Sequence, residues 1–194
     1  MLGSHNSLTY LTPKTIWGKI LSPWTKCQNK FLDRQFDSGV RYFDIRVKFD
    51  KNGNPIIVHN KIKYKGDLIN ILDQFNNYIK LYHNTDIVYL RIILDIRKTP
   101  YNKYEKDRQY GLFVDLCNRI DKNYTNLKVN TAITYWNWKS LENFNSPFTM
   151  IENHASVEAK WWQYLLGTKW YANKVKPLYK DYINSNEIYL VDYV

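Results

Sequence analysis

The sequence predicts an α/β fold with a parallel sheet, on three observations. Short β-branched and aromatic runs alternate with stretches of helical periodicity. The run Ile87–Ile96 is nearly all apolar apart from Arg91 and Asp95, as a strand covered on both faces would be. Polar residues collect near the C-terminal ends of the runs: Arg46, His59, Asp95, Arg97, Glu152, His154 and Asp192. A chain of 194 residues, 44% of them hydrophobic, fits one domain over 1–194 and is too apolar for disorder.

Taken in order, the strand candidates are Val40–Phe49, Pro55–His59, Ile87–Ile96, Val129–Trp136, Phe148–Asn153 and Glu187–Tyr193. Asp50-Lys51-Asn52-Gly53-Asn54 is a turn signal joining the first two. Leu68, Leu72, Phe75, Ile79 and Tyr82 recur at helical spacing just after Asp67, a residue suited to capping a helix N-terminus. A second helix is expected from about Tyr104 to Asp121, with Tyr110, Phe113, Val114, Cys117 and Ile120 as its apolar stripe. Shorter helices are expected over Glu158–Leu166 and Pro177–Ile183.

The formal net charge is +10. Such a chain is attracted to anionic lipid, nucleic acid or a phosphorylated substrate, although dispersed lysine also serves solubility. The lysines form no block of five or six, so charge alone selects no partner. Two cysteines, Cys27 and Cys117, predict neither a disulfide framework nor a metal cluster. No stretch approaches the roughly 18–20 apolar residues of a membrane span, and the N-terminus carries no signal-peptide pattern. Localisation is left open between a processed secreted protein and a viral or phage one.

The chemistry sits in four separated segments. His5 lies in Gly3-Ser4-His5-Asn6-Ser7. Asp44 and Arg46 share one face of a strand, because side chains alternate with period two. His59 ends Ile56-Ile57-Val58-His59, and Asp192 sits near the end of the chain. Two histidines, an arginine and a carboxylate suffice for phosphodiester cleavage without a metal. One imidazole takes a proton from the attacking hydroxyl, and the other gives one to the leaving oxygen. The guanidinium pairs with the phosphoryl oxygens, and a carboxylate behind the base fixes its tautomer.

Gly3-Ser4-His5-Asn6-Ser7, the run Phe36–Arg46 and Ile57-Val58-His59 together resemble the catalytic half of the phosphatidylinositol-specific phospholipase C family (its X domain). Leu190-Val191-Asp192-Tyr193-Val194 resembles that family's last barrel strand. The order and spacing of Asp44, Arg46 and His59 are closest to the secreted, metal-independent bacterial members. The resemblance implies a small TIM-type (β/α)8 barrel, short or incomplete, since only three residues precede Ser4 and strand seven is lost between Ala155 and Asn186. It also implies cleavage of phosphatidylinositol-type lipids to diacylglycerol and an inositol cyclic phosphate. His5 would be the general base, Asp192 its partner and His59 the general acid. Arg46 would hold the phosphate, and Asp44 would support Arg46 or His59. The calcium-dependent members resemble Glu-x-Asp where this chain has Asp44-Ile45-Arg46, and a guanidinium repels a cation. No metal and no cofactor are therefore expected.

Asn6 stands where the bacterial members have Asp, so it adds no charge to the site. It joins Glu152, Arg97 and His154 as substrate-binding candidates; Asp95 and Arg97 could equally pair with each other, and His154 could be an ordinary rim histidine. The expected partner is an anionic phospholipid at a membrane surface, with peripheral attachment and no nucleic acid. Trp161, Trp162, Trp170 and Tyr171, set among lysines, suit either a bilayer interface or packing of a helix. Two other readings remain at this point. One is a related phosphodiesterase acting on a glycerophosphodiester, a sphingolipid or a soluble substrate. The other is a non-catalytic lipid-binding or structural barrel.

Overall fold

The structure, a computed structural model, describes residues 1–96, 102–134, 141–143, 149–152, 169 and 187–194. Its elements run β1 (Leu2–Ser4), α1 (Ile16–Thr25), α2 (Leu32–Asp37), β2 (Tyr42–Phe49), β3 (Pro55–His59) and β4 (Ile62–Lys63). They continue with α3 (Leu68–Tyr82), β5 (Val88–Asp95), α4 (Lys103–Asn123), β6 (Leu127–Thr134), β7 (Leu141–Asn143), β8 (Thr149–Glu152) and β9 (Glu187–Val191). Strands β8-β9-β1-β2-β5-β6 lie side by side and parallel. β7 adds antiparallel to β6. The last strand thus pairs with the first, as closing a barrel requires, while among the described residues the sheet stays open between β7 and β8. The fold is a partial TIM-type barrel.

Period two divides the two faces. Phe43, Ile45 and Val47 of β2, with Leu90, Ile92 and Leu94 of β5, pack outward in the main core. They meet Leu72, Phe75 and Ile79 of α3 and Phe113, Leu116 and Ile120 of α4. Each fully buried side chain of this kind contributes about 1.5–3 kcal/mol. The alternate residues of β2 face the other way. Tyr42 joins Ile188 and Leu190 in a smaller inner cluster, and Asp44 and Arg46 follow it on the same face.

Local signals explain the elements. Asp67 caps α3 by accepting from the Ile69 and Asn70 amides. In the predicted turn Asp50 Oδ1 accepts from the amides of Asn52 and Asn54, and Gly53 takes φ +82°. That turn makes β3 run antiparallel to β2, so His59 returns to the rim on a descending strand rather than at the end of a barrel strand.

Other expectations are corrected. The stripe of α4 is rotated: Gln109, Phe113, Leu116, Cys117 and Ile120 are buried, whereas Tyr110 and Val114 are exposed. Helices α1 and α2 and strands β4 and β7 were not anticipated. The helices expected over Glu158–Leu166 and Pro177–Ile183, and Trp161, Trp162, Trp170 and Tyr171, lie outside the described residues.

Candidate active site

The first strand ends at Ser4, and His5 leaves it with its amide bonded to the Val191 carbonyl of β9. This brings the start and end of the chain together. His5 Nδ1 lies 2.7 Å from Asp192 Oδ1. A carboxylate can only accept, so Nδ1 carries the proton and Nε2 holds a lone pair. Two donors meet that lone pair: Asn6 Nδ2 at 2.9 Å and an Arg46 terminal nitrogen at 3.1 Å.

His59 faces the same amide, its Nε2 3.3 Å from Asn6 Nδ2. Its Nδ1 donates to the Thr25 carbonyl at 2.9 Å. Thr25 ends α1, where a carbonyl has no partner within the helix, so the orphan acceptor fixes the ring. The two imidazole centroids are 6.4 Å apart at 82°.

Asp44 Oδ2 accepts from the Asn6 amide at 3.1 Å and from Arg46 at 3.4 Å. It supports Arg46 and the loop after His5 rather than His59. Burial pushes the Asp44 carboxyl up, but Arg46, Arg91 and His5 outweigh it and hold it at about 2. His59 is lowered too, which for a histidine favours the neutral form. Burial, then the charges of Arg46 and His5, bring it down to about 3, against a smaller lift from the Thr25 bond. In the ligand-free protein both rings are thus drawn as acceptors around one amide.

Six of the residues singled out in the sequence, His5, Asn6, Asp44, Arg46, His59 and Asp192, meet here, and all are buried. Glu152 is the last residue of β8, paired in register with Leu190, two residues before Asp192. Arg97 and His154 lie outside the described residues. Several supports had no signal in the sequence. Gln28 Nε2 donates to the carbonyls of His5 and Val191, and Gln35 ties Ser4 to Ser7. Cys27 Sγ sits 3.5 Å from Asn6 Nδ2. Asp95, marked in the sequence only as a strand-end acid and a candidate partner of Arg97, accepts through Oδ2 from the Asn60 amide beside His59. Only a turn-prone Asn after each histidine hinted at the local backbone. Asn6, Asn60 and Tyr193, the described non-glycine residues with left-handed φ, directly follow His5, His59 and Asp192.

The resemblance to the phosphatidylinositol-specific phospholipases C read from the sequence holds in both sequence and fold. The chain is 33% identical over 86 residues to a 1-phosphatidylinositol phosphodiesterase of Staphylococcus aureus strain Newman. That match spans 44% of this chain and 26% of the curated relative, about a quarter of its length. In fold it is similar to the phosphatidylinositol-specific phospholipase C of Listeria monocytogenes, with a TM-score of 0.61, 15% identity, and 100% of this chain and 87% of that one covered. A double mutant of the Staphylococcus aureus enzyme gives a TM-score of 0.66 at 15% identity, over 100% and 84% of the two chains. A structure described as concerning membrane binding of the Staphylococcus aureus enzyme gives 0.63 at 16% identity, over 100% and 85%. No protein-family model matches.

Proposed function

We propose that this protein is a metal-independent phosphodiesterase that cleaves the glycerol–phosphate bond of phosphatidylinositol-type lipids. The observation that carries this reading is the pair of imidazole Nε2 atoms within 3.3 Å of one small group, with Arg46 beside the first ring and Asp192 behind it. A phosphoryl group entering that space can touch both rings at once. His5 Nε2 takes the proton of the inositol 2-hydroxyl as its oxygen bonds to phosphorus. The phosphorus–glycerol oxygen bond breaks, and that oxygen takes a proton from His59 Nε2. Arg46, held by Asp44, faces the charge growing on the phosphoryl oxygens. The products are diacylglycerol and an inositol cyclic phosphate.

His59 must be charged to act as an acid. A phosphodiester carries a negative charge to the ring, which favours the protonated form and offsets the burial and the Arg46 charge that hold it near 3. Substrate therefore brings the acid into its working state.

The surface supports a membrane partner. On α1, Trp17 is 75% exposed, Ile16 75%, Ile20 51%, Leu21 46% and Trp24 43%. These fall on one outward stripe, while Gly18 faces the protein. Lys14 and Lys19 flank the stripe, and exposed Lys61, Lys63 and Lys65 lie alongside, tied to the start of α1 through Lys14 and Pro13. Apolar rings fringed by ammonium groups fit the boundary of an anionic bilayer. Among the described residues no helix is long and apolar enough to cross a membrane, so attachment by α1 is peripheral.

A phosphorus NMR time course with phosphatidylinositol vesicles in EDTA tests the reaction. The expected outcome is a cyclic phosphodiester resonance growing as the lipid signal falls. Turnover only on adding calcium or magnesium would sink metal independence. Vesicle binding without any cleavage would leave a lipid-binding barrel instead.

A further inference from the structure

The proposed reaction makes no use of Cys27, although its thiol is buried inside the site at 2% exposure. A ring nitrogen of His5, a carboxylate oxygen of Asp192 and Cys27 Sγ all lie within 4.8 Å of one another. Imidazole, carboxylate and thiolate form a donor set for a borderline-soft dication. We propose that His5, Cys27 and Asp192 form an inhibitory binding site for a thiophilic divalent cation such as zinc or cadmium.

The charges balance. A thiolate and a carboxylate together cancel the two charges of the ion, which a buried position demands. On binding, the Cys27 thiol proton leaves to solvent as the sulfur–metal bond forms. An ion at His5 Nδ1 also displaces the proton shared with Asp192 and drives the ring to its other tautomer. The proton then sits on Nε2, facing the donors Asn6 and Arg46. An ion at Nε2 takes the lone pair directly. In both cases the ring can no longer accept a proton from a hydroxyl.

Hard cations are excluded by the same surroundings. Calcium and magnesium need six or more oxygen ligands, and the Arg46 guanidinium stands 3.1 Å from the ring. Only the strength of a thiolate bond outweighs that repulsion. The ion takes the place of the thiol proton on Cys27, which is released as the sulfur binds.

Cadmium added to the intact protein at neutral pH should raise the ultraviolet charge-transfer band of a cadmium thiolate at one equivalent, in the native protein and in Cys117→Ser alike. Cys27→Ser should show no band and bind at least ~10-fold more weakly, since even the loss of a supporting partner costs that much. X-ray absorption of the zinc-loaded native protein should find one sulfur with nitrogen or oxygen donors. A band retained in Cys27→Ser and lost in Cys117→Ser overturns the site, as does a sulfur-free zinc shell or the same response to calcium. Inhibition, unlike binding, rests on the proposed activity. Cleavage continuing in the loaded protein overturns the inhibitory role, whereas cadmium binding through Cys27 in a protein that cleaves no lipid would refute the activity and leave the site standing.

Discussion

At the scale of single residues, two identical side chains are made different by what holds their Nδ1 atoms. A carboxylate backs His5, and a neutral carbonyl backs His59. The first arrangement stabilises a ring that gains a proton; the second orients the ring without adding a charge. His5→Ala and His59→Ala should each lower turnover by about 10²–10⁴-fold, the range for losing one proton-transfer partner. Full activity in either variant, followed by release of inositol phosphate, would refute the roles. The same groups set the response to acid. His59 falls from 6.5 to about 3 on folding, so below 6.5 the unfolded chain binds a proton that the folded one refuses. Stability is complete above 6.5 and is lost as pH falls towards 3. Asp44, lowered from 3.8 to about 2, acts in the same direction over a more acid range. The urea midpoint should drop steadily from pH 6.5 to 4 in the native protein and much less in His59→Gln. The side chains of this site were legible because four separated segments resemble, in order and type, those of a known family. Its backbone acceptor at Thr25 was not, because every residue carries a carbonyl and only the fold decides where a helix ends.

At the scale of elements, α3 and the Asp50–Asn54 turn were readable from a cap, a period and a glycine. Helix α1 was not. Gly18 and Pro23 fall within ten residues and read as breakers. Its apolar stripe also points outward, the reverse of the pattern by which surface helices are recognised. The N-cap holds it nonetheless: the Thr15 side chain accepts from the Gly18 amide at 3.0 Å. Gly18 lets the helix close on Pro13 and Ile62, where a Cβ would meet carbons at 2.9 and 3.3 Å. Replacing Trp17 and Trp24 together by Ala should reduce sedimentation with anionic vesicles by more than about tenfold, at roughly 1.5–3 kcal/mol per large apolar side chain. Cleavage of a short-chain, micelle-free substrate should change little. Unaltered vesicle binding would place the membrane contact elsewhere.

At the scale of the whole molecule, the site exists because strand nine lies beside strand one. Gly3 makes that approach possible: a Cβ there would stand 2.8 Å from Leu190 Cδ2 and 3.0 Å from Ile188 Cγ2. Gly3→Val should cost about 1–3 kcal/mol by overpacking, read as a lower urea midpoint. Activity should fall further than stability alone explains, because β9 carries Asp192 away from His5. A variant that loses stability with kcat intact would separate closure from catalysis. The alternation of strands and helices was plain in the sequence; the antiparallel return of β3 was implicit in the predicted Asp50–Asn54 turn, which is too short for a parallel crossover.

The bond from His59 to Thr25 has one more consequence. The oxygen that decides which nitrogen of His59 bears hydrogen is the terminal oxygen of the helix with the outward tryptophans. Any push that tilts this helix, from an interface or from a binding partner, strains or releases that single 2.9 Å link. One carbonyl oxygen thus both ends the outward-facing helix and sets the tautomer of a ring in the site.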